Sequence, residues 1–554
     1  MRARRFKTAE TTYAAPGDIN YAPHNGQSLC TGFGSNDSGS GVYGQNLQLF
    51  DPRNLWAISL PNASWLESAP LRTPVRAPGG GLNPYPLNIG PASGSTAEVA
   101  FANLMSVLLR WRMQTSCVGR GTAAMSEIEP DGTQNDFAAS LYEGRAFAPV
   151  SPANPSGGNL ARQAGFSAWA YACGILTHTE TDATNLAALG QTDTSAYMAG
   201  VTSMQAQWQA QLGPMGVPTW PWYPGQPLLI SLASGTPSAF QGRSLLSYAL
   251  INLCKSSPAL FIAACAKYPF LQNPPLHLLD YRPYGEVLVR AKKRWVKEHI
   301  DAYRQGRPVN PAAWAPLWET SVVLSGTTVT ITVNNPDGSP LVFDTVTVPQ
   351  PHQSGALTYW AGGFGFEVWE RQVGIVGATN ATPIEVSTSA THNFTTGQPV
   401  IIDGVCTPGY PVESLQGCNG AHFLNVTGAS TFTLFQDAGL TTPVAGTGAY
   451  AGPNVGLAVV PIEILSATVL SPTSIQLNLA RAPAAGQGYV AYAEHTDAPP
   501  SMLNGAVPQR VGNLRNGSGP ALFAQSLIRN SLLPGDLAPA MWADWMLPFL
   551  VGPL

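Results

Sequence analysis

Leu228-Leu229-Ile230-Ser231-Leu232, with Leu245-Leu246-Ser247-Tyr248-Ala249-Leu250-Ile251-Asn252-Leu253-Cys254 following it, decides the fold. The first run is almost wholly aliphatic and has the length of a buried strand; the second places its apolar residues at helical spacing. The same texture extends toward the N-terminus. Tyr197 to Leu212 reads as a helix with Trp208 on its apolar side, and Tyr171 to Leu176 as a short buried strand. Residues 158–172 hold a further helix candidate, and residues 96–113 repeat at helical spacing. Strands alternating with helices predict an α/β domain, a largely parallel sheet covered on both faces, over residues 1–305. Ligands of such sheets bind beyond the carboxyl ends of the strands.

After the charged helix Gly285–Arg304 the period changes from helical to two. Thr327-Thr328-Val329-Thr330-Ile331-Thr332-Val333 alternates, Asn335-Pro336-Asp337-Gly338 supplies a turn, and Leu341-Val342-Phe343 resumes an extended run. Alternation returns over Ile462–Leu479 and Gly488–Ala493. These runs predict a β-sandwich-like accessory domain built from 306–376 and 456–510. Residues 377–455, with turns such as Thr396-Gly397-Gln398-Pro399 and Cys418-Asn419-Gly420, read as a small β-module inserted at a loop tip. The tail, 511–554, carries Met541, Trp542, Trp545, Leu547 and Phe549, and is expected to pack back onto the body.

Composition narrows the function classes. Only 11% of the 554 residues are charged, well under the roughly 25% usual for soluble domains, while 56 glycines and 49 prolines favour ordered loops and neutral β modules. That balance suits a virion or extracellular protein. The net charge is −4, and the basic run Met1-Arg2-Ala3-Arg4-Arg5-Phe6-Lys7 has no later counterpart, which argues against nucleic acid as a partner. No apolar stretch follows that run, so it does not read as a signal peptide, and no segment approaches the ~18 apolar residues of a membrane span. The seven cysteines are scattered. Cys30, Cys117, Cys173, Cys254 and Cys265 read as buried thiols, whereas Cys406 and Cys418 fall in one module and could close a loop. No Cys-x-x-Cys or His-Glu-x-x-His pattern supports a metal, and no cofactor motif is present.

Four blocks carry candidate chemistry. Gly26-Gln27-Ser28-Leu29, with Thr31-Gly32-Phe33-Gly34 behind it, sets a serine where an α/β hydrolytic domain displays a nucleophile; the same letters also suit an ordinary loop. Cys117-Val118-Gly119-Arg120-Gly121-Thr122 holds two glycines whose N–H groups could face a substrate oxygen, or simply form a tight turn. His178-Thr179-Glu180-Thr181-Asp182 reads as a polar strand-end loop. His277 follows Asn273-Pro274-Pro275-Leu276, and a histidine there can return to the first loop and act as a base. His178 rivals it, while His24 precedes the serine on its own strand and is expected to point elsewhere.

In this order, the blocks resemble the SGNH (GDSL-like) hydrolase superfamily, and within it the Gly-Gln-Ser branch of sialate O-acetylesterase-like enzymes and phage tail esterases. The resemblance covers about residues 20–300. The β region, including Val511-Gly512-Asn513-Leu514-Arg515, and the insert from Ala378-Thr379-Asn380 to Ala449-Tyr450-Ala451-Gly452 are similar to modules of phage tail proteins. The resemblance implies a flavodoxin-like three-layer sheet and a serine esterase that removes O-acetyl groups from a bacterial surface polysaccharide. It makes Ser28 the nucleophile and His277 the general acid/base. The N–H groups of Ser28 and of Gly119 or Gly121 become the oxyanion donors, and Gln27, Glu180 and Thr181 flank the substrate. It implies no cofactor, an acetylated glycan as partner, association with other tail proteins or further copies of the chain, and a virion or extracellular location.

Three positions depart from the family pattern. Pro274 stands where the family has the Asp that orients the base, which leaves a backbone carbonyl, Asp280, Asn273 or Asp182 for that role. Thr179 replaces a glycine, and Thr181 sits where a side-chain oxyanion donor is expected. Ile19-Asn20-Tyr21-Ala22-Pro23-His24 is more polar than the usual first strand. These departures sustain an alternative: a catalytically weak or inactive structural or receptor-binding tail protein on the same fold.

Overall fold

The aliphatic runs of the N-terminal region form one parallel sheet, as continuous rather than alternating apolar strands require. The computed structural model describes residues 19–26, 55–59, 101–102, 105, 109, 111, 113–119, 123–133, 137, 169–189, 191–212, 228–232, 245–266, 272–273, 277–278, 282–345, 359–405, 417–448, 450, 456–495, 512–517 and 544–554. Its parallel strands are β1 (Ile19–Gly26), β2 (Leu55–Ser59), β3 (Met113–Gly119), β4 (Trp169–Tyr171), β5 (Gly174–Thr177), β6 (Leu228–Leu232) and β7 (Phe261–Ala266). They run in the order β2-β3-β1-β5-β6-β7, with β4 also beside β1. Every pairing is parallel. The chain therefore starts in the middle of the sheet, builds to one side through β3 and β2, and then to the other through β5, β6 and β7.

Helices occupy the crossovers: α1 (Met125–Ile128), α2 (Glu180–Ala188), α3 (Ser195–Gln211) and α4 (Leu245–Ser256). Tyr197, Val201, Met204 and Trp208 form the buried stripe of α3, and Trp208 stacks on Phe137 at 5.5 Å between centroids. A hairpin of β8 (Gln272–Asn273) and β9 (His277–Leu278) leads into α5 (Arg282–Gln305), which packs on β7 and β6. Two helix expectations are corrected. Residues 101, 102 and 105 are helical, but Met113 already opens β3, and Trp169–Tyr171 at the end of the 158–172 candidate is β4. Pairing with β1 overrides the helical spacing in both places. The strand expected over Tyr171–Leu176 is two strands, separated at Ala172, whose N–H donates to the Tyr21 carbonyl (2.7 Å).

Beyond α5 the strands are antiparallel: β10 (Trp318–Ser325), β11 (Thr328–Asn334), β12 (Leu341–Phe343), β13 (Phe366–Ala378), β14 (Glu385–Thr388), β15 (Pro399–Asp403), β16 (Gly420–Gly428), β17 (Thr431–Phe435), β18 (Leu457–Pro461), β19 (Ile464–Ser471), β20 (Ser474–Leu479), β21 (Gly488–Tyr492), β22 (Leu514–Asn516) and β23 (Phe549–Val551). In β11 the alternation is literal, with Val329, Ile331 and Val333 buried and the intervening threonines half-buried. Gly338, at φ +63°, closes the turn after it. One sheet runs β10-β11-β20-β19, and a second runs β14-β17-β16-β15-β18-β13-β21-β23. The strands of segment 377–455 thus extend a sheet of the surrounding β region through β13 and β18 while packing a core of their own around Ile384, Val400, Leu424, Phe432 and Leu434. β13 serves both groups by bulging at Arg371, which has φ +52°. The tail returns as β22 beside β12 and β23 beside β21, with Trp545, Met546, Leu547 and Phe549 in the core.

Cys173 and Cys254 are buried free thiols, and Cys418 is buried in the core of the inserted segment, whereas Cys406 lies outside the described residues. No described helix is long and apolar enough to cross a membrane.

The charged helix α5 is buried because its second face meets acid from the β region. Arg294 Nη1 donates to Asp544 Oδ1 (3.0 Å), Arg290 Nη2 to Asp544 Oδ2 (3.3 Å), and both guanidinium groups also reach Asp337. Asn516 Nδ2 completes the shell of Asp544 at 2.9 Å. Burial opposes ionisation of Asp544, but the two arginines outweigh it and hold its carboxyl below the ordinary aspartate value. Farther along the junction Lys255 pairs with Glu319, and the Tyr248 hydroxyl donates to Glu494. Beneath them, buried Glu367 accepts the His495 Nδ1–H at 2.7 Å.

Asp544→Asn should lower unfolding free energy by about 3 kcal/mol, because buried Arg290 and half-buried Arg294 lose the carboxylate charge that both of them meet; urea denaturation measures it. For His495, burial disfavours the cation, yet Glu367, with Asp403 and Glu494, raises its pKa above 6.5. Its contribution is therefore complete below pH 6.5 and is lost as pH rises through the raised value. Denaturation midpoints across that window should fall for the native chain and stay flatter in Glu367→Gln.

Candidate active site

Register, rather than any single side chain, assembles the candidate site. β1 lies between β3 and β5 so that Gly26 faces Gly119 on one side and Thr177 on the other. Adjacent strands are about 4.8 Å apart, so three blocks separated by up to some 150 residues leave the sheet side by side at its carboxyl end. On either side of β1 the chain proceeds in opposite directions, the switch point where open α/β sheets form their crevice. Gln27, Ser28 and Gly121 lie outside the described residues. The segment Cys117–Gly119, read as a turn, is instead the end of β3. His277 lies in β9, opposite Asn273, in the connection that leaves the carboxyl end of β7 and enters α5. Pro274 and Asp280 lie outside the described residues.

The third block is mostly helix. Only His178 and Thr179 bridge β5 to α2, and Glu180, Thr181 and Asp182 form the first turn. An acidic first turn suits the partial positive charge of a helix N-terminus. His178 is buried, with Nε2 at 2.8 Å from the Ala123 carbonyl oxygen and Nδ1 at 3.4 Å from the Tyr197 hydroxyl. Asp182 Oδ2 lies 3.6 Å from the same Nδ1 and accepts the Met125 N–H at 2.8 Å. Burial pushes the Asp182 carboxyl above the ordinary aspartate value, with His178 and the Met125 N–H pulling the other way. Glu180 is buried, and Thr181 is half-buried.

His24 turns into the sheet, where its Nε2 meets Thr177 Oγ1 at 2.8 Å, tying β1 to β5. Two participants were not legible as site residues. The Asn25 side chain is fully buried one residue before Gly26, and neither of its amide atoms makes a hydrogen bond. Its place in His24-Asn25-Gly26-Gln27-Ser28 was the only available signal. Tyr197, read only as the start of a helix, stacks on His178 at 5.8 Å. Among the described residues, no group of three or more His, Cys, Asp or Glu is arranged to hold a metal ion. Trp360 and Trp369 are core residues at 1% and 0% exposure, which leaves neither face open for stacking on a sugar.

No family model matches the chain, and no curated protein does. Among solved structures, a carbohydrate acetylesterase from Xanthomonas citri is similar over 97% of this chain and 81% of its own, at 13% identity and a TM-score of 0.41. A protein from Arabidopsis thaliana is similar over 51% of this chain and 100% of its own (12% identity, TM-score 0.32). The protein NanS is similar over 53% and 100% (11% identity, TM-score 0.31). These are distant structural resemblances.

Thr177→Val removes the cross-strand bond to His24 while keeping the side-chain shape. It should cost about 1 kcal/mol in global stability, measured by thermal and urea unfolding.

Proposed function

We propose that the protein is a serine esterase of the SGNH type acting on acyl esters of a carbohydrate, with O-acetyl groups of a bacterial surface polysaccharide as the substrate class. The observation that carries this reading is the shared register of Gly26, Gly119 and Thr177, which brings the first three sequence blocks to one end of the sheet. The position of the His277 hairpin after β7 supports it. In this reading Ser28 Oγ attacks the ester carbonyl and passes its proton to His277. The Ser28 N–H and that of Gly119 or Gly121 hold the oxyanion. His277 returns the proton to the departing sugar hydroxyl, leaving an acyl-enzyme. Water then attacks with His277 as base, and the carboxylic acid leaves as Ser28 is regenerated. Gln27, Glu180 and Thr181 border the acyl site. A backbone carbonyl or a nearby carboxamide or carboxylate orients His277 in place of the Asp that Pro274 displaces. The β region presents the enzyme to glycan, and its place on a phage tail rests on sequence resemblance alone.

Pro274 also favours a second reading, in which the same fold serves as a non-catalytic binding protein. One experiment separates the two. Native protein should release acetate from a chromogenic acetyl ester and from acetylated polysaccharide, and Ser28→Ala should lower that rate on the order of 10³-fold or more. Equal rates in the two proteins would remove the esterase assignment.

A further inference from the structure

Two side chains of the third block reach across to the segment that follows the second. β3 ends at Gly119, where pairing with Gly26 holds it. Four residues later the Ala123 carbonyl faces His178 Nε2 at 2.8 Å. A carbonyl oxygen only accepts, so Nε2 carries the proton and donates. Two residues further, the Met125 N–H donates to Asp182 Oδ2 at 2.8 Å. Between them the Ala124 N–H donates to Glu127 Oε2 at 2.7 Å. Gly119 is thus held by β1, and Ala123 and Met125 are held by the β5–α2 connection and the first turn of α2. The anchor is itself braced. The His178 ring stacks on Tyr197 and its Nδ1 faces the Tyr197 hydroxyl and Asp182; His178 and Tyr197 are buried and Asp182 is half-buried. Donors to a developing oxyanion act through fixed position, and small displacements are costly.

We propose that His178 and Asp182 are positioning residues that fix Ala123–Met125, the described segment that follows Gly119, His178 through the Ala123 carbonyl and Asp182 through the Met125 N–H. The proposal rests on the esterase reading for its catalytic consequence but not for the grip itself. It also gives Asp182 a task other than orienting His277. His178 contributes through its Nε2–H, so glutamine, which carries an amide donor at similar reach, can substitute, whereas phenylalanine keeps the ring contact with Tyr197 and loses the donor. Asp182 contributes an acceptor, so asparagine can substitute and alanine cannot.

Two measurements test it on the full chain. Hydrogen exchange of the amides of Gly119 and Ala123–Met125 should quicken about tenfold or more in His178→Phe and Asp182→Ala, and stay near native in His178→Gln and Asp182→Asn. Acetyl ester hydrolysis should show kcat falling about 10- to 100-fold in the first pair with KM within about threefold, and recovery to within about threefold in the second. Native exchange in His178→Phe and Asp182→Ala would overturn the grip whatever the activity. A large kcat loss in Asp182→Asn with native exchange would return Asp182 to His277. Exchange that quickens in a protein whose hydrolysis does not depend on Ser28 would keep the grip and remove the esterase reading.

Discussion

Everything at the candidate site depends on one constraint, the placement of β1 between β3 and β5 in parallel register. A shift by one residue would move every β1 side chain to the opposite face. It would separate His24 from Thr177. With the register in place, Gly26, Gly119 and Thr177 end at one level. The polar character of β1 follows from the same position. Asn20, His24 and Asn25 are fully buried because β1 is central, and His24 is satisfied across the sheet rather than by water.

A second constraint joins this sheet to the β region. α5 would be an exposed amphipathic helix if its only partners were β6 and β7. Instead Arg290 and Arg294 meet Asp544 and Asp337, so two strands' worth of distant chain close over it. The arrangement links the helix that follows the His277 hairpin to the C-terminal segment that adds β23 to the large sheet. A buried ion pair is weak evidence of stability by itself. Here it fixes which face of α5 points where, which an apolar contact of similar area would specify less strictly.

Much of the architecture was legible in local pattern. The helix over Tyr197–Leu212, the strand Leu228–Leu232, the helix from Leu245 and the alternating strand Thr328–Asn334 all follow from the spacing of their apolar residues. The misreadings fell where spacing and pairing conflict. Met113 and Trp169–Tyr171 continue a helical pattern in sequence but become strands because β1 offers them a partner. Trp360 and Trp369, by contrast, take the commoner fate of such aromatic residues and fill the core beside β13. At the site, the blocks around Gly26, Gly119 and His178 could be named from sequence, but the bonds from His178 to Ala123 and from Asp182 to Met125 could not. Nothing in the local pattern of either segment marks the other as its partner.

The sequence by itself determined the alternation of strands with helices before α5, the change of period after it and the residue types available for chemistry, since each is set by neighbours within a few positions along the chain. Only the tertiary structure decided which ends lie together, which histidine nitrogens are engaged, and which carboxylates meet α5. Those outcomes join residues up to 254 positions apart, and contacts at that range are chosen by packing and by the need to satisfy buried polar groups. They are not carried by the periodicity of either partner.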